Sequence, residues 1–140
     1  MTDNYKQQGK RLQLVKQLKE KGIYDENVLN AINSIPRHLF MDSSFEDFAY
    51  QDKAFPISSG QTISQPYTVA FQTQLLQPQP GEKILEIGTG SGYQTSVLCM
   101  IKAKVYTIER QIKLYKKTSL LLDKLNFHPK QMTYGDGYKG

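Results

Sequence analysis

Residues 84–94 read ILEIGTGSGYQ: a short apolar run suited to a strand, three glycines within five positions, and the opening of a helix. Taken from Lys83, the run KILEI has the nearly unbroken apolar character of a parallel strand covered on both faces. Tyr93, Val97, Leu98 and Ile101 mark one side of the helix that follows. Further along, KVYTIE (104–109) supplies a second strand, and residues 112–125 predict a helix with Tyr115, Leu121, Leu122 and Leu125 inward. QMTY (131–134) reads as a third strand. Strand, helix, strand, helix, strand is half of a doubly wound, Rossmann-like α/β sheet.

In such a sheet the ligand lies beyond the carboxyl ends of the strands, where the first strand passes into its helix. Gly88, Gly90 and Gly92 occupy that turn, and glycine permits both unusual dihedrals and a close approach of the ligand to the backbone. The helix beyond offers free N–H groups and a positive dipole end. Glu109 ends the second strand 21 positions after Gly88, a spacing that suits an acid accepting both ribose hydroxyl hydrogens. Dinucleotide sites use G-x-G-x-x-G, whose third glycine would fall on Tyr93; the form present is E-x-G-x-G-x-G, Glu86 to Gly92. An acid before the turn repels a pyrophosphate and suits a cationic amino-acid group and a sulfonium.

Upstream of a break at residues 77–82 the chain reads as helical and irregular. Lys6, Lys10, Arg11, Lys16, Lys19 and Lys21 interleave with Leu12, Val15 and Leu18, an amphipathic helix with a solvated basic face that ends at Gly22. Asp25 caps a second helix through Val28, Leu29 and Ile32, halted by Pro36. The aromatic stretch HLFMDSSFEDFAYQDKAFPI has no steady period and reads as loop with short elements. Pro66 suits the first turn of a third helix, capped by Ser64 or Gln65, with Val69, Thr73 and Leu76 inward. QPQPG then breaks it.

With 140 residues, 39% hydrophobic and 22% charged, the chain has material for one domain. No apolar run approaches the roughly 20 residues that span a bilayer, and MTDNYKQQGK lacks the apolar centre of a signal peptide, so a cytoplasmic protein is expected. The single cysteine, Cys99, reads as a small buried hydrophobe on a helix and offers no disulfide or zinc set, so no metal is expected. The net charge of +5 is spread along the chain rather than gathered into a nucleic-acid-binding block. His38 and His128 match no ligand or triad spacing and read as surface or loop positions.

The form E-x-G-x-G-x-G resembles motif I of the class I methyltransferases, which bind S-adenosylmethionine. GQTISQP (60–66), LEIGTGSGYQT (85–95), TIER (107–110) and GDG (135–137) occur in that order, with IPRHLF (35–40) and AYQDKAFPI (49–57) before them. Together they resemble the protein-L-isoaspartate O-methyltransferases over nearly the whole chain after the first helix. The resemblance implies a class I methyltransferase fold preceded by N-terminal helices, with residues 1–77 as a cap and 82–140 as the first half of the cofactor-binding sheet. A full sheet of that class has seven strands and three are present, so the chain is expected to be a partial domain.

The same resemblance implies residue roles. Gly88, Thr89, Gly90, Ser91 and Gly92 would pack on the methionine part of S-adenosylmethionine with Glu86 beneath them. Glu109, of the Glu109–Arg110 pair, would hold the ribose, and Asp136 and Gly137 would reach the adenine. The Thr62-Ile63-Ser64 segment would cover the cofactor, with Ile63 and Ser64 beside it and Ser64 in the active site. Taken without the resemblance, Ser64 reads first as a helix cap and Asp136 as a turn acid, and Glu109–Arg110 is open to reading as a solvated pair. The implied reaction moves a methyl group to the free carboxylate of L-isoaspartyl and D-aspartyl residues in damaged proteins, leaving S-adenosylhomocysteine and starting repair. Partners would be isoaspartyl peptides and proteins, with no nucleic acid, no membrane and a monomeric enzyme. A nucleotide-dependent oxidoreductase and a non-catalytic basic binding module are the alternatives.

Overall fold

Asn4 and Asp25 open two helices by the same device, a side-chain oxygen that accepts backbone N–H groups otherwise left without partners. Asn4 accepts from Gln7 at the start of α1 (Tyr5–Glu20), and Asp25 accepts from Asn27 and Val28 at the start of α2 (Glu26–Ser34). The computed structural model describes residues 2–139. After α2, Pro36 leads into 3₁₀ turns at Arg37–Phe40 and Ser43–Phe48. A minimal antiparallel hairpin pairs β1 (Phe55–Pro56) with β2 (Thr62–Ile63). Then come α3 (Pro66–Leu76), β3 (Lys83–Ile87), α4 (Tyr93–Met100), β4 (Lys104–Glu109), α5 (Ile112–Lys124) and β5 (Gln131–Tyr134).

The three long strands form one parallel sheet in the order β3-β4-β5. Register sets Glu86 opposite Thr107 and Glu109 opposite Tyr134, bringing both acids to the face that also carries buried Val105. Helices α1, α2, α3 and α4 bury Leu14, Leu18, Val28, Ile32, Val69, Tyr93 and Val97 in one core. The opposite face of β3 is open, with Leu85 and Ile87 67% and 60% exposed, so KILEI is not covered on both faces by the described residues. No described helix is long and apolar enough to cross a membrane.

Several side chains differ from their expected positions, each for a tertiary reason. Leu76 is half exposed, and Gln74 is buried instead, its Oε1 accepting from the N–H groups of Tyr24 and Asp25. On α5 the buried stripe is Leu114, Thr118 and Leu122, while Tyr115, Leu121 and Leu125 are only partly covered. Leu12 is exposed and Leu14 takes its place inside α1. Arg11, expected on the solvated face, is buried: it is paired with Asp3, donates to the Asn33 carbonyl and reaches the Tyr50 hydroxyl. His38 is wholly enclosed, its Nδ1 2.8 Å from the Tyr50 hydroxyl and its Nε2 3.1 Å from the Thr2 carbonyl, whereas His128 is exposed. Cys99 is half-buried rather than buried, its thiol pushed up to about 11 by burial.

Candidate functional site

The turn between β3 and α4 takes a left-handed backbone at Gly88 (φ +91°), Gly90 (+56°) and Gly92 (+85°). A Cβ on Gly88 or Gly90 would meet nothing within 4 Å, because both face an open cleft. Gly92 turns the other way, against α5, where a Cβ would come within 2.7 Å of Thr118 Cγ2. Its glycine therefore serves packing rather than the cleft. Thr118 also donates its hydroxyl to the Gly90 carbonyl at 2.6 Å, so α5 fixes the turn from behind.

Two hollows flank Gly88. One, of about 300 Å³, is lined by Thr62, Ser64, Glu86, Thr89, Ser91 and Gln94 among others; the second, of about 420 Å³, by Gln61, Glu109, Arg110, Asp136, Gly137 and Tyr138 among others. Ile87 and Gly88 line both. Larger hollows exist, including one of about 720 Å³ between α1 and residues 47–53. What distinguishes the cleft is the convergence of strand ends, the glycine turn and three carboxylates.

Glu86 sits in a chain of hydroxyls. Thr95 and Thr107 both donate to its Oε1, the latter at 2.7 Å, and Thr107 Oγ1 is also 2.6 Å from Thr89 Oγ1. Because Thr107 gives its proton to Glu86, Thr89 must donate to Thr107. Oε1 is thus filled and Oε2 is the oxygen left for a proton or a ligand. Burial pushes the Glu86 carboxyl up to about 7, with nearby Glu109 adding to the rise and the two hydroxyls opposing it. Thr107 and Glu109 lie two apart on one face of β4, a pairing that strand alternation in TIE makes legible. Thr95 comes from α4, and only the fold reveals it.

Glu109 is 5% exposed and does more than its position predicted. Its Oε1 accepts the Gly90 N–H at 2.9 Å and its Oε2 the Gln111 N–H at 2.8 Å, so it holds both the glycine turn and the start of α5. Each oxygen keeps a second lone pair for a ligand hydroxyl. Arg110 is exposed and lines the same hollow, and among the described residues it forms no salt bridge with the buried Glu109. Asp136 accepts the Tyr138 N–H, as a turn acid does, while lining that hollow. A Cβ on Gly137 would approach Ile87 Cγ2 to 2.6 Å, which requires glycine where this turn crosses the end of β3.

Ser64 is exposed in the first hollow and does not cap α3, whose N-terminus carries no side-chain bond from Gln65 either. The cap comes from Asp52, whose Oδ1 accepts the Tyr67 N–H at 2.8 Å while its other oxygen pairs with Lys21. Burial works against the Asp52 charge, yet Lys21 and the Tyr67 N–H hold its carboxyl below the ordinary value. Ile63 turns into the core, 1% exposed, and its neighbours Thr62 and Ser64 face the cleft, as alternation along β2 requires. Among the described residues no group of three His, Cys, Asp or Glu side chains could hold a metal ion.

The cleft's charged groups decide what it accommodates. Glu86, Glu109 and Asp136 line it against Arg110 alone, a set that suits a cationic, hydroxylated nucleoside and opposes a pyrophosphate. Residues 9–140 match the model of the family described as "Protein-L-isoaspartate(D-aspartate) O-methyltransferase (PCMT)". A protein-L-isoaspartate O-methyltransferase of Christiangramia forsetii is 69% identical over 140 residues, covering all of this chain and 66% of that protein. That of Cytophaga hutchinsonii is 54% identical, with 63% of its length covered. The chain therefore spans about two thirds of the length of these curated relatives. Among solved structures, a protein-L-isoaspartate O-methyltransferase superposes with a TM-score of 0.81 at 27% identity, covering 91% of this chain and 43% of the other. A Plasmodium falciparum protein solved in complex with S-adenosyl-L-homocysteine gives 0.79 at 24% identity, a likeness of fold, over 92% of this chain and 64% of the other. The chain belongs to the protein-L-isoaspartate(D-aspartate) O-methyltransferase family.

Proposed function

We propose that the protein transfers a methyl group from S-adenosylmethionine to the free carboxylate of L-isoaspartyl and D-aspartyl residues in damaged proteins, starting their repair. The observation that carries this reading is the pair of hollows on either side of Gly88, one with Glu86 and Ser64, the other with Glu109, Asp136 and Gly137. S-adenosylmethionine, when bound, supplies an electrophilic methyl group on a sulfonium. Gly88 and Gly90 would hold its methionine portion, where their missing side chains leave open space. The free oxygen of Glu86 would face its ammonium. Glu109 would accept from the ribose hydroxyls while still gripping the turn, and Asp136 with the Gly137 backbone would meet the adenine.

An isoaspartyl carboxylate is already ionised at neutral pH, so it needs no side chain to remove a proton. That agrees with a cleft holding no nucleophile-and-base pair. The remaining task is alignment with water excluded. Ser64, its hydroxyl free of any capping duty, would donate to one carboxylate oxygen and aim the other. A neutral hydroxyl does this without adding a charge that would favour the separated ions.

The test is methyl-ester formation by the full-length protein on matched isoaspartyl and aspartyl peptides, beside calorimetric titrations with S-adenosylhomocysteine and NADH. Esterification of the isoaspartyl peptide alone, with binding of the first ligand and not the second, is expected. Binding of NADH, or methylation of neither peptide, would overturn the reading.

A further inference from the structure

Arg37 is wholly buried, and none of the salt bridges among the described residues neutralises it. Its Nε donates to the Ala49 carbonyl at 2.9 Å, and its Nη2 to the carbonyls of Lys53 at 3.1 Å and Ser64 at 3.0 Å. Nη1 is buried without a partner among the described residues, as is the Tyr93 hydroxyl. The guanidinium carbon lies 4.9 Å from the centre of the Tyr93 ring, and that ring is packed edge-on by Phe40 at 5.7 Å.

Burying an uncompensated cation costs several kcal/mol, which an apolar side chain of the same length avoids. What the guanidinium gains for that cost is three carbonyls, two from the turn at residues 49–53 and one from Ser64, and the face of an aromatic ring. Ile63 anchors the stretch at Ser64 in the core, but among the described residues the Ser64 carbonyl is held by Arg37. The hairpin before it has two paired residues on each strand, and α3 begins two residues after it. Tyr93, on the other side, is the residue immediately after Gly92, at the end of the glycine turn. One rigid planar group therefore touches both the segment that carries Ser64 and the residue that closes the turn.

We propose that Arg37 is a positioning residue that sets the distance between Ser64 and the glycine turn, and hence between the acceptor carboxylate and the cofactor. This deepens the methyltransferase reading and rests on it. A planar fork fixes the Ser64 carbonyl relative to the Tyr93 ring in a way that a lysine ammonium, a point charge on a flexible stem, does not. Misplacement by a fraction of an ångström lowers the rate of an aligned displacement while leaving the glycine turn free to bind.

The experiment is a double-mutant cycle in the full-length protein with Arg37→Met, Arg37→Lys and Ser64→Ala. The expected result is that Arg37→Met and Arg37→Lys each lower kcat at least tenfold, with the dissociation constant for S-adenosylhomocysteine changed less than threefold. Adding either to Ser64→Ala should cause little further loss, because Arg37 acts through that residue. A general structural role would instead weaken cofactor binding in parallel and give additive losses, and that result overturns the proposal. Amide hydrogen exchange supplies a readout free of activity. In Arg37→Met, the amides of residues 62–65 should exchange at least tenfold faster while β3 and β4 keep their protection. Should the wild-type protein methylate no isoaspartyl peptide, the functional reading falls and the exchange result still decides whether Arg37 holds the segment; unchanged exchange at 62–65 refutes it.

Discussion

Replacing Glu86 by glutamine removes its charge and keeps a carbonyl oxygen for the hydroxyls of Thr95 and Thr107. The Glu86 carboxyl, pushed up from 4.5 to about 7 by burial above all, keeps its proton in the folded chain across a pH range where the unfolded chain has lost it. Stability must then fall as pH rises from about 4.5 to about 7 and stay level above that. At about 1.4 kcal/mol per pH unit the ceiling is about 3 kcal/mol. Because Glu86 keeps some contact with solvent in the cleft, we expect about 2 kcal/mol. In denaturant unfolding, Glu86→Gln should equal the wild type at pH 4.5 and exceed it by about 2 kcal/mol at pH 8. Binding should move the opposite way. A ligand ammonium favours the ionised carboxylate, so the wild-type affinity for S-adenosylhomocysteine should drop about tenfold from pH 8 to pH 6, and the variant should bind weakly with no such slope. A variant no more stable than the wild type at pH 8, or a wild-type affinity unchanged between pH 6 and pH 8, would refute the reasoning.

Ser64→Ala should lower turnover on an isoaspartyl peptide about tenfold or more with S-adenosylhomocysteine affinity kept; equal loss of both by kinetics and calorimetry would remove its proposed role. Glu109→Ala leaves the partly buried N–H groups of Gly90 and Gln111 without their acceptor, which should cost about 1–2 kcal/mol in denaturant unfolding and more than tenfold in cofactor affinity. Gly92→Ala combines a left-handed backbone with a 2.7 Å approach to Thr118 Cγ2 and should cost about 2–3 kcal/mol. Adding Thr118→Ser removes that methyl, keeps the hydroxyl that donates to Gly90, and should restore about 1 kcal/mol; no recovery would show that the dihedral alone sets the cost.

The strands KILEI, KVYTIE and QMTY were legible to the residue, because each is a short run bounded by glycine, proline or a helical pattern. The glycine turn was legible for a related reason: its left-handed dihedrals are a local demand that few residues other than glycine meet. The buried polar groups were not. His38 and Arg11 read as surface residues, since nothing near them in the chain announces Tyr50, which both of them contact. The helix at Pro66 offered Ser64 and Gln65 as caps, yet Asp52 caps it from 14 positions before Pro66.

The β1–β2 hairpin was not legible, but local sequence sufficed for the helices and the three strands of the parallel sheet, for the cleft's position at the ends of β3 and β4, and for the acids Glu86 and Glu109 beside it. All of these follow from backbone preference and from repeats over a few residues, which act within one stretch of chain. Only the tertiary structure decided which of those groups are free to meet a ligand. Strand pairing set Thr107 opposite Glu86 and burial raised that carboxyl, Asp52 released the Ser64 hydroxyl, and Arg37 joined Ser64 to the residue after the glycine turn. Those outcomes depend on charge, desolvation and hydrogen-bond partners drawn from distant parts of the chain, and such terms take their values only once the chain has folded.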